Sequence, residues 1–319
     1  MSSLIRLACS AILLLLLALG VARAEPRVDL QATNRILKHV QTVLAKQGFG
    51  ALHIGGGAAL SLAMAARHGG ELAWNDIDIR AFPRGPLDAA RIDRLSKALT
   101  RGGWARVLAP GRLDFFVPVD SRPDTLRPQG FGLRMTDRQG NRYDIAVLNG
   151  TSEIATSGFN TAESLFIPLR PRDTIQRVMG RLTRGAAKEV VGRGDLQEVH
   201  GRALDVLGKK IAITNKHYIE AQPELLALRF LRDVGKLDKL GPAGERVGFR
   251  GAFRWLGRNL PRAIAHAPEV KDPSYVPQVQ EQAQKLLESG DRRLLRAAAR
   301  LGLDVPALAA GKLRRTATE

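Results

Sequence analysis

One stretch constrains the fold more than any other. Residues 51–54 form a short apolar run that ends on Gly55-Gly56-Gly57, and residues 58–67 are then rich in Ala, Leu and Met until His68-Gly69-Gly70. A run of that length suits a buried strand, the glycines turn the chain, and the strong helix formers predict a helix that the next glycines stop. Residues 72–82 alternate polar and apolar around Asp76-Ile77-Asp78-Ile79. Period-two alternation places both carboxylates on one face of a strand.

The flanking pattern extends this into a mixed domain. Ile36, Val40, Val43 and Leu44 recur at helical spacing within residues 28–47, and residues 87–99 repeat that pattern ahead of Gly102-Gly103. Residues 104–108, 113–119, 131–136 and 142–148 read as strands, the last two joined by the turn-rich loop 137–141. Beyond Gly150 helices dominate: residues 172–182, 196–207, 224–234, 275–287 and 292–301. Glycine and proline mark breaks at residues 235–251 and 268–277. The expected organisation is a first domain over 25–150, a helical domain over 151–234 and a basic helical region over 235–319.

Two carboxylates on one strand face supply hard oxygen ligands of the kind Mg²⁺ takes while sharing its shell with substrate phosphates. A lone Asp-x-Asp is common on exposed strands. Here it follows a glycine turn that opens a helix, whose free N–H groups and positive dipole end attract phosphate. No lysine-bearing phosphate loop follows the glycines, and there is no recognisable Ser-His-Asp or Cys-His arrangement. His200 and His217 stand too far apart for a metal motif.

Ile54-Gly55-Gly56-Gly57 followed by Asn75-Asp76-Ile77-Asp78-Ile79 resembles the signature of the polymerase-beta-like nucleotidyltransferase superfamily. The helical sequence Ala58-Ala59-Leu60-Ser61-Leu62 is similar to the branch that includes antitoxin-paired bacterial nucleotidyltransferases. The resemblance covers roughly residues 35–150, and its spacer is several residues longer than usual, the excess falling in His68-Gly69-Gly70-Glu71. It implies an α+β fold, a nucleotidyltransferase-like mixed sheet flanked by helices and followed by a mainly helical C-terminal domain.

The resemblance also implies chemistry. Asp76 and Asp78 would bind two Mg²⁺ ions, and Gly55, Gly56, Gly57 and Ser61 would cradle a nucleoside triphosphate. The nucleoside monophosphate would pass to an acceptor hydroxyl on protein, RNA or a small molecule, with release of pyrophosphate. A third carboxylate is expected on a later strand. Asp144 and Asp114 compete for that role; Asp144 is preferred because it follows a hairpin. Arg80 and Lys188 are further candidates for the pocket, whereas His53, flanking an apolar run, reads as a core histidine.

The first residues set the location. Arg6, an apolar run over residues 11–21 and Ala22-Arg23-Ala24 read as a cleaved export signal, residues 1–24, too short in its apolar part to span a bilayer. The expectation is a periplasmic or secreted protein with no stable membrane span and, once Cys9 is removed, no cysteine. Formal net charge is +18, which favours phosphate-rich partners. Arg250, Arg254, Arg258 and Arg262 recur every four residues and suggest an anion-facing helix, although Gly251, Gly257 and Pro261 oppose helix formation there. A catalytically inactive binding protein on the same fold, holding an acidic polymer, lipid or nucleic acid, is the rival reading.

Overall fold

The computed structural model describes residues 28–74, 76–85, 89–101, 105–106, 111–112, 130–136, 142–148, 159–163, 165–189, 208–213, 216, 218–240, 245–267 and 275–313. The export-signal segment, Asp114, His200, His217 and the expected helix over 196–207 lie outside them.

The fold is α+β. Helix α1 (Leu30–Lys46) starts where Asp29 accepts hydrogen bonds from the N–H groups of Gln31 and Ala32, satisfying donors the helix cannot. Its buried stripe of Ile36, Leu37, Val40 and Leu44 covers the sheet. Strand β1 (Phe49–Gly55) runs into α2 (Gly56–His68) without a linker. Residues 58–64 of α2 are all buried, as expected for a helix of Ala, Leu and Met enclosed by sheet and helices. The longer spacer emerges as an extended loop beyond Gly69, a positive-φ C-cap at +76°.

Next come β2 (Ile77–Pro83), α3 (Ala89–Thr100), the short strands β3 (Ala105–Arg106) and β4 (Gly111–Arg112), then β5 (Gly130–Thr136), β6 (Arg142–Leu148) and β7 (Ile167–Leu169). The sheet order is β3-β5-β6-β2-β1-β7, with β4 also pairing β5. Every pairing is antiparallel except β2 with β6. In β2, Ile77, Ile79 and Ala81 are buried while Asp78 and Arg80 on the opposite face are only partly covered, the alternation expected from the sequence.

Strand β7 was not anticipated beyond Gly150; three residues are too few for periodicity to register. It caps the β1 edge. The expected helix at 172–182 starts later, as α4 (Ile175–Glu189), because Arg172 sits at φ +62° in a turn and Asp173 closes it. The Asp173 carboxylate accepts from the Arg170 N–H and from Arg181, whose other nitrogen donates to the Pro168 carbonyl.

The remaining chain is helical: α5 (Tyr218–Ala221), α6 (Pro223–Lys239), α7 (Arg250–His266), α8 (Tyr275–Glu288), α9 (Arg292–Arg300) and α10 (Val305–Ala309). Helix α6 is the hub, buried along its length and packed by α5, α7, α8 and α9. The break expected from Gly235 begins only after Lys239. Gly235 is instead a close-packing position, where a Cβ would meet Leu294 Cδ1 at 2.9 Å. Helix α7 likewise forms through Pro261, which lies on the exposed face with Gly257, so water can satisfy the carbonyl that the proline leaves unpaired.

Candidate active site

The site is built at the end of β1. Gly55 pairs with Asp78 across the β1–β2 ladder. Gly56 then adopts φ +59°, a left-handed conformation that costs other residues about 1–2 kcal/mol. A Cβ there would lie 1.7 Å from Asp78 Oδ2. The backbone of the turn therefore touches the carboxylate directly, and only glycine permits it. Gly55, the N-cap of α2, makes no side-chain capping bond, which leaves the first-turn N–H groups for a ligand.

Asp144 on β6 stands directly beside Asp78 in the parallel β2–β6 register. Asp76, expected on the same strand face as Asp78, instead lies in a bend just before β2, two residues from Asp78, because the strand pairing begins only at Ile77. Burial pushes the Asp78 carboxyl up to about 6, and repulsion from Asp76 and Asp144 adds to that, while Arg80 and Lys236 pull the other way. Asp78 thus senses both neighbouring carboxylates electrostatically. Asp114, the rival third carboxylate, lies outside the described residues.

Cations surround this cluster. Arg80 leaves the same strand face as Asp78, with its guanidinium 5.9 Å from the centre of the Phe166 ring. Burial lowers its pKa, Asp78 and Asp144 raise it, and Arg229 lowers it again. Lys236 reaches in from α6: a Cβ on Gly57 would lie 3.7 Å from its Nζ. A network holds that part of α6 in place. Asn160 Nδ2 donates to Asp233 Oδ2 at 2.9 Å, Arg232 pairs with Asp233 at 2.8 Å, and Arg229 pairs with Glu163 at 2.8 Å. Burial would raise the Asp233 carboxyl, but Arg232, Lys236 and the Asn160 hydrogen bond outweigh it and hold it below the usual range.

Sequence reasoning missed Arg229, Arg232, Asp233 and Lys236. The signal was present: four charged residues spaced three, one and three apart share one face of the helix amid Leu, Phe and Val, a pattern that marks a paired rather than a merely solvated face.

Other candidates sit elsewhere. Ser61 is fully buried, and its Oγ accepts from the Ala73 N–H at 2.9 Å, tying the long spacer to α2 rather than meeting the glycine turn. His53 is buried as a core residue, against the edge of Phe82 at 5.5 Å. Burial lowers its pKa to about 4, and its Nδ1 has no hydrogen-bond partner among the described residues. Lys188 lies in α4, and its side chain is outside the described residues.

Among the described residues, no three His, Cys, Asp or Glu side chains are placed to hold one metal ion. The donor set nonetheless suits a hard cation in two respects. All donors are carboxylate oxygens, and their mutual repulsion is what a divalent ion would relieve. Mg²⁺ commonly takes only one or two protein carboxylates and completes its shell with water and substrate phosphate, so a closed protein cage is not required.

No helix among the described residues is long and apolar enough to cross a membrane. No protein-family model matches the chain, and no curated protein matches it at a significant level.

Proposed function

We propose that the protein is a nucleotidyltransferase that moves a nucleoside monophosphate from a nucleoside triphosphate to an acceptor hydroxyl. The observation carrying this reading is the contact of the Gly56 backbone with Asp78, which stands in register with Asp144: a helix-opening glycine turn and paired carboxylates share one sheet end.

In this reading the N–H groups at the start of α2 and the Lys236 ammonium hold the triphosphate, and Arg80 keeps the carboxylates from excessive mutual repulsion. Asp76 and Asp78 are the residues that would hold Mg²⁺, which when bound would neutralise phosphate charge and sharpen the electrophile. The acceptor oxygen forms a bond to the alpha-phosphorus as the bond to the bridging oxygen breaks. Pyrophosphate leaves, and the hydroxyl proton passes to the Asp144 carboxylate. Positioning and charge stabilisation supply most of the rate.

The rival reading, a binding protein that retains the fold without catalysis, draws support from the missing three-ligand metal shell among the described residues. An exported location, where triphosphate is scarce, points the same way. Incubation with labelled nucleoside triphosphates, Mg²⁺ and candidate acceptors separates the two. Labelling that disappears in Asp76→Ala with Asp78→Ala supports catalysis; equal labelling by wild type and double variant ends the transferase reading.

A further inference from the structure

Helix α7 carries a feature the catalytic reading leaves unused. Ala252, Leu256, Leu260 and Ala263 bury one side of it in the core, while Arg250, Arg254, Arg258 and Arg262 are exposed on the other. The exposed residues between them are small: Gly251, Gly257 and Pro261. The helix contains no acidic residue. Among the described residues, none of the four guanidinium groups takes part in a hydrogen bond, ion pair or ring contact. Each step of four residues rises about 6 Å and turns about 40° past a full circle, so the guanidinium ridge climbs about 18 Å of axis while winding about 120° across the exposed face.

We propose that this ridge docks a polynucleotide strand, its guanidinium groups gripping successive phosphates. Charge complementarity argues for a polyanion, and the geometry narrows it. A single oblique row with an axial rise of about 6 Å per guanidinium suits one linear backbone crossing the helix at a slant, and guanidinium forks suit phosphate oxygens. An anionic membrane is the weaker fit, because the apolar side of α7 is already spent in the core and the exposed side offers no wedge for insertion. The ridge also belongs to the helical half that serves the site: α7 packs on α6, which sends Lys236 to the glycine turn. Calling the polynucleotide the acceptor rests on the transferase reading; the docking itself does not.

The test measures binding alone, without nucleotide and in EDTA. The full chain is titrated against a fluorescent single-stranded oligouridylate of about 20 nucleotides by anisotropy, across salt from about 50 to 200 mM. Replacing Arg254, Arg258 and Arg262 by Gln is expected to weaken binding at least about tenfold at low salt and to flatten the log–log salt slope by about 2. Arg292, Arg296 and Arg300 form an exposed row on α9. Their triple Gln variant, with the same change in charge, should leave the slope unchanged. A triple Lys variant of the ridge preserves charge and should keep the slope, which guards against misfolding as the cause. Equal loss in both Gln variants overturns the proposal by showing a diffuse field. So does absence of wild-type binding, or binding to phosphatidylglycerol vesicles that the oligouridylate cannot displace. A failed transfer assay with intact ridge-dependent binding would refute the transferase and leave the ridge standing.

Discussion

Substituting Gly56 and Gly57 separately tests whether the turn is a carboxylate rest or merely a flexible linker. In Gly56→Ala the new Cβ would lie 1.7 Å from Asp78 Oδ2 and 2.8 Å from its Cγ, and contacts under 3.0 Å do not persist. The oxygen must therefore retreat by at least 1.3 Å, the difference between 3.0 and 1.7 Å. Misplacement of about 1 Å in a reacting group can cost about a hundredfold in rate. The positive φ adds about 1–2 kcal/mol of strain, offset by about 0.4–1 kcal/mol from the stiffer unfolded chain. Net destabilisation should be about 1 kcal/mol in urea unfolding, with loss of any Mg²⁺-induced rise in the urea midpoint and about a hundredfold fall in transfer rate. Gly57 has no positive φ, and its Cβ would meet Lys236 Nζ at an ordinary 3.7 Å. Gly57→Ala should leave stability unchanged or raise it by up to about 1 kcal/mol. Gly56→Ala matching wild type in both stability and Mg²⁺ response, or Gly57→Ala doing equal harm, would refute the reasoning.

Because the Asp78 carboxyl is raised from 3.8 to about 6, the stabilising effect of its neutral form is complete below pH 4 and lost as pH rises to about 6. In metal-free buffer Asp78→Asn should therefore be more stable than wild type above pH 6, by at most about 3 kcal/mol and about half that once solvent contact is allowed for. Urea curves should converge below pH 4; a less stable variant at pH 8 would contradict this. Lys236→Met should raise the KM for triphosphate about tenfold or more, the loss of a charge-assisted contact, and push Asp78 further up; steady-state kinetics and the pH profile report both. Asp173→Ala strands Arg181, which is only 9% exposed, and should cost about 3–5 kcal/mol in thermal or urea unfolding without changing triphosphate affinity.

Much of the sheet was legible because its signals are local. The alternation in residues 77–83 and the flanks of residues 142–148 each specify a strand and its buried face within a few residues. Helices α8 and α9 were legible for the same reason, from their apolar spacing. Gly235 misled because glycine in sequence signals freedom, whereas here it makes room for Leu294 of α9, a fact of packing between distant segments. Pro261 misled because a proline's cost depends on whether water reaches the carbonyl it leaves unpaired, which only exposure decides. Ser61 was placed with the glycines by proximity in the chain, but its position on α2 turns it toward Ala73.

Local periodicity specified the strand, glycine turn and helix and put Asp78 on a partly covered strand face, whereas Asp76, expected on that same face, precedes the strand in a bend. That Asp144 stands beside Asp78, that Gly56 must lack a side chain, and that Lys236 comes to the turn from 180 residues away emerges only in the folded molecule. Strand register and helix packing are set by the whole core at once, and no window of sequence contains that information.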